Sequence, residues 1–96
     1  MTKTEQQIRE KSLYEAILAI ESIEECEGFL KDLCTPAEIT AFADRWCAAK
    51  HVHQGLPYRK ITEETGVSTA TVTRVARFLH HGYNGYKSIL EKTQTH

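Results

Sequence analysis

Apolar residues recur at spacings of three and four along nearly the whole chain, which predicts helices throughout and no strand. In the first stretch Ile8, Leu13, Ala16, Ile17 and Ile20 fall on one stripe, and Tyr14 and Leu18 form a second beside it. The first helix is therefore apolar over a wide arc, more than one neighbouring helix covers. A short break follows Ile20. Ser22 with Glu25 three residues later is a capping-box pattern, and Ile23, Cys26, Leu30, Leu33 and Cys34 supply the stripe of a second helix.

Thr35-Pro36-Ala37-Glu38 is the strongest helix start in the chain: a threonine cap, a proline where its missing N–H costs nothing, and a glutamate able to close a capping box. The third helix should bury Ile39, Phe42, Ala43, Trp46 and Cys47 and end at Gly55 and Pro57. A short fourth helix is expected from Pro57 to about Thr65, then a positive-φ turn at Gly66. Ser68 caps a fifth helix, and Gly82 to Gly85 separates it from a last one carrying Tyr86, Ile89 and Leu90. The fold class is all-α: six helices in a single domain over residues 1–96, with loose ends at about 1–4 and 92–96.

Residues 58–79 meet the demands of a helix-turn-helix, which needs a glycine in a tight turn and apolar residues where two short helices cross. Ile61 faces inward from the first helix, Gly66 and Val67 make the turn, and Val72, Val75, Ala76 and Leu79 form the inner stripe of the second. The outward face of the second helix is small and polar, with side chains a major groove can accept. Ser68, Thr69, Ala70, Thr71, Thr73, Arg74 and Arg77 are the expected DNA-contacting residues there, joined by Arg59 and Lys60 from the first helix. An ordinary helical hairpin would share the glycine turn. The small β-branched helix start, the capped helix upstream and the local charge favour DNA reading.

Charge sharpens this picture although the total, −1, gives it no support. Residues 1–38 carry net −5, residues 39–56 net +1 and residues 57–96 net +3, so the basic end coincides with the helix-turn-helix. The low total keeps one alternative open, a helical dimeric module that binds another protein. Salt separates the two, because phosphate contacts weaken steeply with ionic strength and an apolar interface does not.

No apolar run reaches the roughly 18 residues of a membrane span, and the polar first residues carry no export signal. A cytoplasmic protein with no membrane partner is expected. Cys26, Cys34 and Cys47 form no C-x-x-C pair and read as reduced core cysteines. Cys47 and His51 share a helix face, but His51 and His53 point apart and no second close Cys/His pair joins His80 or His81, so neither a metal site nor a cofactor is expected. No glycine-rich loop or paired carboxylates accompany Cys34 or Cys47, so the chain is not expected to be an enzyme.

Thr35-Pro36-x-Glu38, Arg45, Gly55, Arg59, Gly66 and the run Ala70-Thr-Val-Thr-Arg74 resemble the Trp repressor family in order and nearly in spacing, most of all its YerC/YecD group. The resemblance implies an intertwined homodimer holding two reading heads about 34 Å apart over a near-palindromic operator, which would also explain the wide apolar face of the first helix. It puts Arg59 on a base edge and Thr71 and Thr73 on phosphates and bases. Thr62 stands where the Trp repressor has a lysine that contacts DNA, and Thr69 where it has an isoleucine, so the operator does not carry over.

By the same resemblance Arg45 and Arg74 match the arginines that sandwich tryptophan, and Thr35 matches a threonine at that pocket. Val75 replaces a glycine and Phe78 a serine, both adding bulk where the ligand would lie. The pocket formed by Thr35, Arg45, Arg74, Val75 and Phe78 is therefore expected to be filled by side chains, with tryptophan not a partner and a different small ligand left open. Trp46 is expected in the dimer core or beside the arginine pair.

Overall fold

The computed structural model of the chain describes residues 3–94, the side chain of Gln94 excepted. It contains six α-helices and, among the described residues, no strand: α1 (Glu5–Leu18), α2 (Ile23–Leu33), α3 (Pro36–His53), α4 (Tyr58–Thr65), α5 (Thr69–His81) and α6 (Gly85–Gln94). They fall into two compact units, Met1–Pro36 and Ala37–His96.

In the first unit, α1 begins three residues ahead of its first apolar position because Thr4 and Gln7 form a reciprocal capping box. Thr4 Oγ1 accepts the Gln7 N–H at 3.1 Å, and Gln7 Oε1 accepts the Thr4 N–H at 2.9 Å. Ser22 caps α2 as expected, accepting the Glu25 N–H at 3.0 Å. The return bond differs from the expected box: the Glu25 carboxylate accepts the Glu21 N–H, 2.9 Å, one residue before the cap. Neither α1 nor α2 contains a buried residue. Leu18 is 84% and Ile23 83% exposed, with Ile8, Tyr14, Ile17 and Leu33 also open. Apolar burial is the dominant favourable contribution to folding, so these helices lack a core of their own.

The second unit has one. Ala48, Ala49 and Val52 of α3, Ile61 of α4, Val67 of the turn, Val72, Val75, Ala76 and Leu79 of α5, and Leu90 of α6 form a continuous buried cluster. Helix α5 is its centre, packing on both α4 and α6. The stripe expected on α3 needs correction. Ile39, Trp46 and Cys47 are half-buried and Phe42 and Ala43 exposed, while the buried face belongs to Ala48, Ala49 and Val52 in the last turns of the helix. The three cysteines are free thiols, but half-buried rather than core.

Two glycines hold left-handed backbone at helix ends. Gly55 (φ 87°) closes α3 with the paired bonds of a Schellman motif, Gly55 N–H to the Val52 carbonyl at 2.9 Å and Leu56 N–H to the His51 carbonyl at 3.3 Å. Gly66 (φ 79°) closes α4. Of the ends expected to be loose, Met1, Thr2, Thr95 and His96 lie outside the described residues; Thr4 caps α1, and Lys92 and Thr93 continue α6.

Candidate nucleic-acid interface and the groove beside it

The turn between α4 and α5 is fastened at several points. The Thr65 hydroxyl donates to the Ile61 carbonyl at 2.6 Å and accepts the Val67 N–H at 3.1 Å, while Gly66 N–H bonds the Thr62 carbonyl at 3.0 Å. Val67 is buried beneath this turn with Ile61, Val72 and Val75. With both hydrogen bonds and packing fixing the corner, the angle between α4 and α5 is set independently of the outward residues. Thr65 was not legible as part of this fastening; a threonine one residue before a glycine turn is its only sequence trace.

Ser68 caps α5, accepting the Thr71 N–H at 3.1 Å. Its hydroxyl also donates to Thr71 Oγ1 at 2.9 Å, so Thr71, half-buried, is tied back to the helix start. Thr69, Ala70, Thr73 and Arg77 are exposed on the same helix. On α4, Arg59 is exposed, and Lys60 meets Glu64 at 3.8 Å in a solvated pair, worth only a few tenths of a kcal/mol. Thr62 points differently: its Oγ1 is buried and has no hydrogen-bond partner.

Arg74 leaves this surface for a groove on the second unit. The groove has a volume of about 680 Å³. Phe42, Arg45 and Trp46 of α3 line one side, Arg74 and Phe78 of α5 another, and Tyr83, Gly85, Tyr86 and Ile89 the third. Each arginine is stacked on a ring of its own helix: Arg45 Cζ lies 5.1 Å from the centre of Phe42, and Arg74 Cζ 4.9 Å from that of Phe78. Trp46 and Tyr86 stack at 6.5 Å and 24°. Among the described residues no carboxylate lines the groove, so two guanidinium charges act on an apolar, aromatic floor.

Of the residues expected at a pocket, Arg45, Arg74 and Phe78 thus come together, whereas Val75 is fully buried in the core and Thr35 is not among the lining residues. Trp46 lies beside the arginine pair. Tyr83, Tyr86, Phe42 and Ile89 were missed, because a groove among three helices rests on contacts that local spacing does not encode.

His51 Nδ1 donates to the Cys47 carbonyl at 2.8 Å and lies 3.8 Å from Cys47 Sγ, which occupies that nitrogen within the helix. Among the described residues no three His, Cys, Asp or Glu side chains gather as metal ligands, and no helix is long and apolar enough to cross a membrane. The Glu27 carboxyl is held below its ordinary value, first by its hydrogen bond to Lys31 and then by the charge of that ammonium, 2.8 Å away.

Three comparisons place the chain among known proteins. The profile of the Trp repressor protein family matches residues 9–94. The uncharacterized protein YerC of Bacillus subtilis (strain 168) is 42% identical over 82 residues, 85% of this chain and 79% of YerC. Among solved structures, a TrpR-like protein from Eubacterium eligens superimposes with a TM-score of 0.83 at 36% identity, covering 88% of both chains. A candidate Trp repressor from Staphylococcus aureus gives 0.86 at 37% identity, covering 99% of this chain and 98% of its own.

Proposed function

This chain belongs to the Trp repressor family, and from that premise we propose that it is a sequence-specific DNA-binding transcription regulator that grips a near-palindromic operator as a homodimer. Family members are DNA-binding regulators rather than enzymes. The observation that carries the finer reading is the fastened corner of α4 and α5, with Thr69, Ala70 and Thr73 exposed on α5 and Arg59 exposed on α4. Short side chains let the start of α5 approach base edges, and Arg59, Lys60 and Arg77 supply phosphate-facing charge.

Dimerisation is part of the same proposal. The apolar faces of α1 and α2, open in one chain, are covered by a second copy, which completes one domain from residues 1–96 of each. Two reading heads then face successive major grooves. The work is cytoplasmic, where DNA is.

Tryptophan is not the corepressor in this reading. Phe78 stacks on the Arg74 guanidinium and Phe42 on that of Arg45, so each arginine already has an aromatic partner from its own helix, which supports this reading. A second reading, control by a different small anionic ligand, is favoured by the aromatic groove with its two cations.

The test is retention of duplex DNA by the purified dimer over a salt series. Affinity should fall steeply with ionic strength, and Arg59→Ala should weaken it by about tenfold or more at fixed salt. Salt-independent retention, or an unchanged affinity for a folded, dimeric Arg59→Ala variant, contradicts the assigned surface. Added tryptophan should leave the titration unmoved.

A further inference from the structure

We infer that α5 reads thymine 5-methyl groups, and so selects an A·T-rich half-site, through Thr69, Ala70 and Thr73 rather than reading guanine through Arg74. The inference rests on the DNA-binding reading above and names the base chemistry that this surface recognises.

Four observations carry it. First, the exposed residues of the first two turns of α5 that do not line the groove are Thr69, Ala70 and Thr73. None can form the bidentate hydrogen bonds by which Arg and Lys select guanine or Asn and Gln select adenine. The threonine hydroxyls accept or donate and so do not discriminate between bases, which leaves the methyl groups as the selective feature, and in the major groove the thymine methyl is the apolar feature that distinguishes a base pair.

Second, Arg74 is the long cation that helical spacing alone would send to a guanine from these turns, and in the structure, though exposed, it is turned along its own helix toward the groove. Its guanidinium stacks on Phe78 at 4.9 Å and lines the groove with Arg45. Third, Arg77 stands eight residues beyond Thr69, about 12 Å along the helix axis, which suits a phosphate more than the bases beneath the helix start.

Fourth, Ser68 Oγ accepts the Thr71 N–H and shares a hydroxyl–hydroxyl hydrogen bond with Thr71 Oγ1, which ties Thr71 back to the helix start and leaves Thr69, Ala70 and Thr73 as the side chains open to a base edge.

The experiment uses the full-length dimer and the duplex it retains from a random pool. Each thymine of that duplex is replaced in turn by deoxyuridine, which lacks only the 5-methyl group. The expected result is A·T enrichment at the centre of each half-site and an affinity loss of about fourfold at one or two thymines per half-site, the worth of one buried methyl group. Thr69→Ser and Ala70→Gly, made singly, should lose affinity for the thymine duplex and become indifferent to the deoxyuridine exchange. Retention unaffected by every deoxyuridine exchange, or half-sites of G·C throughout, would overturn the inference while leaving DNA binding intact. Retention of no duplex at all would overturn the DNA-binding reading with it.

Discussion

The two units of this chain use the same kind of sequence to different ends. Helices α1 and α2 span 14 and 11 residues, carry apolar stripes and capped starts, and bury nothing. Helices α3 to α6 and the turn at Val67 bury ten residues around α5. Local signals are as strong in the first unit as in the second: Thr4 and Gln7 close a reciprocal capping box. Helical propensity and capping therefore set where helices begin, and the supply of a packing partner sets whether they have a core. The acidic unit buries none of its helical residues, whereas the basic unit, which holds the fastened corner of α4 and α5, has a core of its own.

The largest expected effect comes from denying the first unit its partner. Ile17→Glu with Leu18→Glu should convert the dimer to a monomer in sedimentation and remove the helical signal of α1 and α2, while α3 to α6 keep theirs. A dimer that survives both charges would break the comparison. Next is truncation in the second unit: Ile61→Ala, at a fully buried position, should lower the unfolding free energy by about 3 kcal/mol in denaturant titration. A cost below 1 kcal/mol would mean that the core of α4 and α5 is looser than its packing.

A smaller change of opposite sign is expected at Thr62. Its buried hydroxyl has no partner, so Thr62→Val, nearly equal in shape, should stabilise the protein by about 1 kcal/mol. Destabilisation would reveal a bond that the hydroxyl makes in solution. Least of all is the exposed Glu27–Lys31 pair in the first unit. The folded carboxyl is depressed below its unfolded value, so its small contribution is present above the ordinary glutamate range and lost as pH falls through the folded value. Lys31→Met should return Glu27 to that ordinary range in a carboxyl NMR titration, with no change in fold.

What was legible in the sequence was local. Ser22, Ser68, Gly55, Gly66 and Pro36 mark their boundaries because caps and left-handed turns depend on a residue and its neighbours within four positions. The inner stripe of α5 was legible too, since Val72, Val75, Ala76 and Leu79 all face one core. On α3 the same reasoning failed: Phe42 and Trp46 outrank Ala48 and Ala49 in hydrophobicity, yet it is the alanines that join the buried cluster. The groove was half legible. Arg45, Arg74 and Phe78 were expected together, but Val75 turned into the core, and the aromatic wall from α6 depends on how α5 and α6 pack. The inward turn of Thr62 and the hydroxyl link from Ser68 to Thr71 are matters of ångströms that spacing does not carry.

The central claim, a dimer reading DNA through α5 without tryptophan, is tested most directly by selecting duplexes from a random pool with the purified protein at moderate salt, with and without added tryptophan. The account predicts recovery of the same two-fold symmetric site in both conditions. Enrichment only with tryptophan would contradict the reading that tryptophan is not the corepressor, and no enrichment in either condition would contradict the DNA-reading surface itself.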